Sequence, residues 1–430
     1  MEVANQEGGV IAPFRGVVER LGWGGVGVAR LFDGRIVLLD SQLAIFPGEE
    51  VEAEVCMKAR HGEGRITRII RPDPQRIAPK CPVAESCGGC DLWGASRLDA
   101  SKLKLEMIDD LVRRNLGNWF KFEWHPAPKD ALRHRIQLHW DGFRLGFHRR
   151  GTNAIVEVDS CPMAAGVLSA AIPALKKALL LHDLPNEPAR WELSTGTPAG
   201  KVYAVKNGVG EIYEIVDSGW KINSRGRNVH EFPGARMEQN PKSFFQVCPS
   251  WAWQAFGRVF SSWDLSGQVL FDLFGGTGFF SKMLAPKFGI IVLVEKWKFS
   301  AQDARRNLRG LPAEIVNAPL NQWLKFCKGS PSSTVIVDPP RKGLNEFETK
   351  KLGKFKASNL VYVGCDGATF FRDVRELSKK WRLSSLAVID LFPNTVHAEF
   401  VALFNRPQRL GPVKRRELRP LAGPPVPLQE

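Results

Sequence analysis

The stretch QVLFDLFGGTGFFSKML, Gln268 to Leu284, constrains the fold more than any other part of this chain. An apolar run ends in Asp272, a turn containing Gly275, Gly276 and Gly278 follows, and a helical pattern begins at once. A strand that passes through a short glycine turn into a helix is half of a βα unit. Repeating that unit builds a parallel sheet covered by helices. The repetition is visible: IIVLVEKW carries Glu295 at its end, STVIVDPPRKGL carries Asp338, and LVYVGCDG carries Cys365. From about residue 240 the sequence therefore predicts an α/β, Rossmann-like domain whose ligands bind where the strands end.

The chain, at 430 residues, is too long for a single core, so further domains are expected. Residues 10–70 alternate short apolar runs with glycine turns, which predicts a small antiparallel barrel of the OB-like kind. RPDPQRIAPK (71–80) reads as a linker, and 96–116 as one amphipathic helix packing on the α/β domain. Residues 120–235 hold mostly strand-like pieces with one helix near 164–181. After Asn405 the composition turns to Pro and basic residues without periodicity, as in disordered segments. The expected division is 1–74 (barrel), 75–240 (mixed, β-rich central domain with a cysteine cluster), 241–405 (α/β domain) and 406–430 (tail). No apolar run approaches the ~18 residues of a membrane span. MEVANQEGGV lacks a basic segment followed by an apolar core, so no secretory signal is read there. A cytoplasmic monomer is expected.

Net charge is +15, which favours a polyanionic partner. Residues 266–405 hold 20 Lys and Arg against 12 Asp and Glu, and 406–430 hold 6 against 2. The three preceding segments are close to balanced. Basic excess concentrated beside the candidate site points to a nucleic acid; a membrane partner is not expected, nor is DNA.

Four motifs carry chemistry. The glycine turn with Glu295, a carboxylate placed to accept from ribose hydroxyls, predicts a nucleoside cofactor. GGTG is not a full G-x-G-x-x-G, so the turn does not favour NAD over S-adenosylmethionine. Asp338 stands at a strand end, followed by two stiffening prolines and by Arg341 and Lys342, suited to phosphate contacts. Cys365 ends the next strand on the same edge, which suits a nucleophile whose pKa neighbouring cations would lower. In FPNTVHAEFVALF (392–404), read as one late strand, Glu399 sits among apolar residues and must be paired or catalytic. CPVAESCGGC supplies Cys81, Cys87 and Cys90, and Cys161 of DSCPM is the candidate fourth ligand. Four thiolates suit zinc or an iron–sulfur cluster alike.

Together, CPVAESCGGC with Cys161, KSFFQV, FDLFGGTG, Glu295, DPPRKGL, Cys365 and HAEFV resemble, in order, the RNA uracil-C5 methyltransferases of the iron–sulfur branch acting on 23S ribosomal RNA. The resemblance spans nearly the whole chain. It implies a TRAM barrel over residues 10–70, a class I methyltransferase domain and a [4Fe–4S] cluster on the four cysteines. It also implies S-adenosylmethionine bound by Gln246, Phe274, Phe279, Glu295, Asn317 and Asp338, with Cys365 as nucleophile and Glu399 as general base. Three positions depart from the family pattern. Gly364-Cys365-Asp366-Gly367 replaces Ser-Cys-Asn-Pro, Phe279 stands where a polar residue is common, and Cys248 replaces an Asn. Asp366 adds a charge that would raise the thiol pKa unless Arg341, Lys342 or Arg372 offsets it.

The implied chemistry explains the residue types. Attack of Cys365 on C6 makes C5 of uracil enolate-like, C5 takes the methyl group, and Glu399 removes the C5 proton so that the thiolate can leave. The base must be flipped out of its stack. A transfer RNA substrate remains an alternative. A cytosine-C5 enzyme is disfavoured because Arg341 stands where that class has a second cysteine. A non-catalytic RNA-binding descendant is disfavoured because Asp338, Cys365 and Glu399 occur together.

Overall fold

Residues 3–4, 10–217 and 219–406 are described by the computed structural model. The α/β unit is built on eight strands: β1 (Glu123–His125), β2 (Gly267–Leu273), β3 (Phe288–Val294), β4 (Ala313–Val316), β5 (Ser333–Val337), β6 (Asn359–Gly364), β7 (Arg382–Ile389) and β8 (Glu399–Asn405). Their order across the sheet is β4-β3-β2-β5-β6-β8-β7-β1. Strands β2 to β6 are parallel, as the alternating pattern requires. The expectation of a parallel sheet fails at β8, which runs antiparallel to both β6 and β7. That reversal matters chemically: the first residue of β8, not its last, lies where the parallel strands end. The apolar runs on the two faces bury against separate helix layers. Pro249–Ser262 and Phe279–Leu284 cover one face, and Arg97–Leu116 and Gly367–Leu377 the other.

The late strand is shorter than its sequence suggested. Phe392 to Ala398 form a loop, and only Glu399–Asn405 pair. Backbone and side-chain bonds to other parts of the chain use the loop's polar groups, so the alternation there marks burial rather than a ladder.

Residues 10–71 form a sheet whose members are mostly antiparallel, with one parallel pair between Ile36–Asp40 and His61–Arg71. Val10–Val17 pairs with Glu50–Met57, and its continuation Arg20–Leu21 pairs with Gly27–Arg30 at the other end of the sheet. One bent strand thus contributes to both ends of the sheet, and the short strand Val3–Ala4 pairs with its outer side. The segment after the sheet is pinned: Arg76 bonds the buried Glu49 carboxylate and the Ala44 carbonyl. The central unit is a seven-stranded antiparallel sheet covered by Gly166–Leu180.

The boundaries drawn at 74 and 240 cut through continuous packing. The helix Arg97–Leu116, capped by the Ser96 side chain, buries Ala100, Leu103 and Met107 against the barrel. The same helix buries Ile108 and Val112 against the α/β sheet. Strand β1 joins that sheet from the central segment. Arg406 bonds the carbonyls of Gly353, Lys380 and Phe355 and covers the Trp381 ring. The rest of the tail expected to be disordered lies outside the described residues. Among the described residues no helix is long and apolar enough to cross a membrane.

Candidate active site

The site lies at the edge where β2, β3, β5 and β6 end and β8 begins. Strand β2 delivers Asp272, which is fully buried. Its Oδ2 accepts from the Ser281 amide at 3.1 Å and the Ser281 hydroxyl at 2.6 Å, while Oδ1 is buried without a partner. Phe274 follows with φ of 60°, a left-handed conformation that side chains rarely adopt, and turns the chain sharply. Gly275 is needed for packing: a Cβ there would stand 2.4 Å from Leu293 Cγ. Gly276, with φ of 54°, has open space around it and donates its amide to Glu295 Oε2 at 3.1 Å. Trp297 donates its amide to the other oxygen at 2.5 Å. Burial raises the Glu295 pKa. Asn317 ties neighbouring strand ends together by donating to the Glu295 and Lys296 carbonyls at 2.8 and 3.0 Å.

Phe274, Glu295, Asn317 and Asp338 therefore share one edge. Gln246 is buried on a segment held from below, where Asp303 accepts from the Asn240 amide and the Ser243 hydroxyl at 2.8 and 2.7 Å. Phe279 does not belong with them. It is buried among Phe232, Phe245, Trp253 and Phe280, which meet it edge to face, so it is a core residue. Cys248 is likewise a buried packing thiol at the start of Pro249–Ser262, pushed up to about 12 by burial.

Asp338 follows β5, and its loop is fixed from an unforeseen direction. The buried Asp373 carboxylate accepts from the Leu344 amide at 2.8 Å, the Tyr362 hydroxyl at 2.6 Å and Arg372 at 2.8 Å. Gly343 is obligatory there, since a Cβ would lie 2.3 Å from Asp373 Oδ2. Cys365 follows β6. Gly364 pairs with Phe400, so the next step of the antiparallel register sets Cys365 opposite Glu399. Directly opposed residues lie about 4.5–5.5 Å apart at Cα. Glu399 is 7% exposed and its Oε2 is buried without a partner.

The electrostatics correct one expectation. The Cys365 thiol is pushed up to about 12, not down, because burial dominates and Glu399 adds to it, while Arg341 pulls the other way. Asp366 is not a significant opponent: its carboxylate caps Gly367–Leu377 by accepting from the Thr369 amide at 2.8 Å. Asp338 is pushed up to about 7 by burial and by Asp272, itself raised to about 6 by burial. Burial and then Asp338 hold Glu399 well above the carboxylate range, with Arg341 opposing. The edge thus holds four buried or half-buried acids, Asp272, Glu295, Asp338 and Glu399, and a thiol facing one exposed guanidinium. This preorganised excess of negative potential suits a sulfonium cation.

A raised carboxyl pKa means that folding binds a proton, so the wild type loses stability as pH rises through the window. For Asp338 the window runs from 3.8 to about 7. Asp338→Asn should therefore match the wild type in melting temperature near pH 4 and exceed it above pH 7. A gap that does not widen with pH would show that Asp338 is well solvated.

The barrel reaches this edge. Trp23 meets the Phe400 ring edge to face at 5.6 Å and closes over Gly367, where a Cβ would lie 2.9 Å from Trp23 Cζ2 and 2.6 Å from Leu111 Cδ2. Gly367→Ala should cost about 1–3 kcal/mol by overpacking, measured by urea unfolding, and Trp23→Ala in the same chain should recover part of it. Additive losses would mean that the two do not touch.

Cys81, Cys87, Cys90 and Cys161 line one cavity with Arg133, Trp93 and Met163. Burial raises the thiols of Cys81 and Cys87, and that of Cys90 to about 12, while Arg133 lowers the latter two. No Asp, Glu or His shares the cavity. Among the described residues no group of three or more His, Cys, Asp or Glu side chains is arranged to hold a metal ion. A cleft of about 400 Å³ runs from Gly88 and Gly89, past Arg133 and Arg135, to Arg341 and His397.

Residues 328–407, which include Asp338, Cys365 and Glu399, match the family model described as tRNA (Uracil-5-)-methyltransferase. The 23S rRNA (uracil(1939)-C(5))-methyltransferase RlmD of Vibrio cholerae is 28% identical over 90% of this chain and 94% of its own length. Over most of its length the chain is similar to RNA uracil-C5 methyltransferases. Another relative, the tRNA (uracil(54)-C(5))-methyltransferase of Pyrococcus abyssi, is 27% identical over 90% of this chain and 99% of its own. The crystal structure of the Pyrococcus abyssi tRNA (uracil-54, C5)-methyltransferase with S-adenosyl-L-homocysteine superposes with a TM-score of 0.69. At 24% identity it covers 91% of this chain and all of that one. The two chains thus share a fold over most of their length.

Proposed function

We propose that this protein transfers a methyl group from S-adenosylmethionine to C5 of a uridine in 23S ribosomal RNA, through a bond between Cys365 and C6. The observation that carries the reading is the register that sets Cys365 opposite Glu399, beside Asp338. Arg341 is the exposed cation of the edge and is placed to meet the carbonyl oxygen that gains charge as the thiolate adds. Because the free thiol is high in pKa, it gives up its proton to solvent at the open edge of the site as the base arrives, and Arg341 favours the thiolate so formed. Glu399, held high and without a protein donor, is a strong base for the C5 proton. Asp338 faces the cationic donor, and Glu295 takes its ribose in place of the backbone amides it now accepts from.

Transfer RNA is the second reading, since relatives named for each substrate are about equally similar. Incubation with S-adenosylmethionine and either total 23S rRNA or total tRNA, followed by nucleoside mass spectrometry, separates them. 5-Methyluridine in tRNA alone would replace the ribosomal assignment, and 5-methylcytidine would replace the uracil one.

The four cysteines fit a [4Fe–4S] cluster in kind: four thiols and no Asp, Glu or His line the cavity, and Arg133 offsets the charge of thiolates. Cys81, Cys87, Cys90 and Cys161 would hold it as a structural tie between segments distant in sequence. Anaerobically purified protein should be brown with about four irons per chain. Colourless protein with one zinc would sink this assignment.

A further inference from the structure

The basic excess of the C-terminal third does not gather only around the site. At the opposite edge of the α/β sheet, where β5 and β6 begin and β8 ends, Lys354, Lys356, Arg382 and Arg406 line a cleft of about 1220 Å³ that no carboxylate enters. Lys354 also lines the adjoining groove of about 870 Å³ between Glu346–Lys354 and Gly367–Leu377, which Lys380 shares. The acids of that second groove are occupied: Glu346 pairs with Lys350, Glu376 with Lys379, and Asp373 with Arg372. Lys354, Lys356, Lys380 and Arg382 are exposed, and none has an acidic partner among the described residues. The floor is rigid, because Arg406 is fixed over buried Trp381 and by three carbonyls.

Unpaired cations held on a rigid floor raise the local potential and are a poor arrangement for stability alone. We propose that this cleft is a second RNA-backbone site, on the face away from the reacting uridine. The proposal rests on the reading of the protein as an RNA methyltransferase. Five residues of β5 separate Ser333 from Asp338, about 17 Å at strand spacing. A short loop whose uridine enters the catalytic edge cannot also fill the cleft; a long structured RNA that wraps the domain can. The cleft would thus select large RNA over its excised fragments. Phosphates are the fitting chemistry, since Lys and Arg serve as backbone contacts without sequence readout.

The test compares the full-length wild type with Lys354→Gln/Lys356→Gln/Arg382→Gln, which leaves Arg406 in place. Two probes are used: full-length 23S rRNA transcript and the shortest fragment that the wild type methylates. The variant should bind the transcript at least tenfold more weakly at 150 mM salt. Its slope of log affinity against log salt should be shallower by about 2–3. Turnover on the short fragment should stay within twofold, and the melting temperature should not change. Equal losses on both probes, or no loss on the transcript, would overturn the proposal. No loss on the transcript, together with binding of an acidic polyglutamate peptide by the wild type that the variant loses, would assign the cleft to a protein partner instead. If the wild type methylates neither RNA, the activity reading fails, while the transcript's binding slope still decides the cleft.

Discussion

Cys365→Ala is expected to lower methyl transfer by on the order of 10⁴-fold or more while leaving RNA binding within about twofold. The thiol adds little affinity beside so many cations, and without it C5 never becomes nucleophilic. Glu399→Gln should fail differently. Attack and methyl transfer proceed, but the C5 proton stays, and turnover drops by about 10²–10⁴-fold. The stalled species is an enzyme–RNA adduct that survives denaturing electrophoresis and vanishes on nuclease treatment. Cys365 and Glu399 flank the last pair of the antiparallel register, Gly364 with Phe400, and neither can take over the other's chemistry. The amide is nearly isosteric, and Oε2 has no protein donor to lose, so misfolding does not confound the result. An adduct band with Glu399→Gln, absent when Cys365 is also replaced, supports both roles. Turnover by Cys365→Ala would return that cysteine to packing.

The second large effect is expected at a residue far from the chemistry in sequence. Lys104, 1% exposed on the long helix, donates to Asp390 Oδ1 at 2.6 Å and to the carbonyls of Phe392 and His397 at 2.9 and 3.0 Å. All three of its protons are used, and all hold the loop that leads into Glu399. Asp91, next to Cys90, grips the same loop by accepting from the Val396 amide at 3.0 Å. Lys104→Met leaves the buried Asp390 carboxylate without its cation and the His397 carbonyl without its donor, and should cost about 3–5 kcal/mol in urea unfolding. Lys104→Met/Asp390→Leu should recover much of that, because no lone charge remains. Turnover should fall in the single variant with little change in the KM for S-adenosylmethionine, since the strap holds the base rather than the cofactor edge. A loss below about 1 kcal/mol would mean that the loop holds itself.

The strand tips were legible because a buried apolar run closed by Asp338 or Cys365 carries its own stop signal. The barrel and the long helix were legible through glycine turns and leucine spacing. What stayed hidden depends on pairings distant in sequence. Nothing local in HAEFVALF announces that β8 runs backwards, yet that reversal brings Glu399 to Cys365. Lys104 and Asp390 are separated by 286 residues, and each alone reads as a surface charge. Asp272 was read as a strand end without a role, although it helps to raise Asp338. The Cys365 pKa was misjudged because counting nearby cations along the chain ignores burial, which outweighs Arg341. Phe279 was misplaced because helix position alone does not say which way a ring points.

The helix Arg97–Leu116, shared by two cores, also sets a problem of timing during synthesis. Its barrel-facing residues find their partners as soon as the helix leaves the ribosome, since the barrel precedes it. Ile108 and Val112 wait for a sheet whose last strand ends at Asn405. At about 5–20 residues per second the stripe stays uncovered for on the order of tens of seconds. Nascent chains arrested before β8 should therefore be sticky, with hydrophobic-dye binding that disappears only when Glu399–Asn405 has emerged and the sheet is closed.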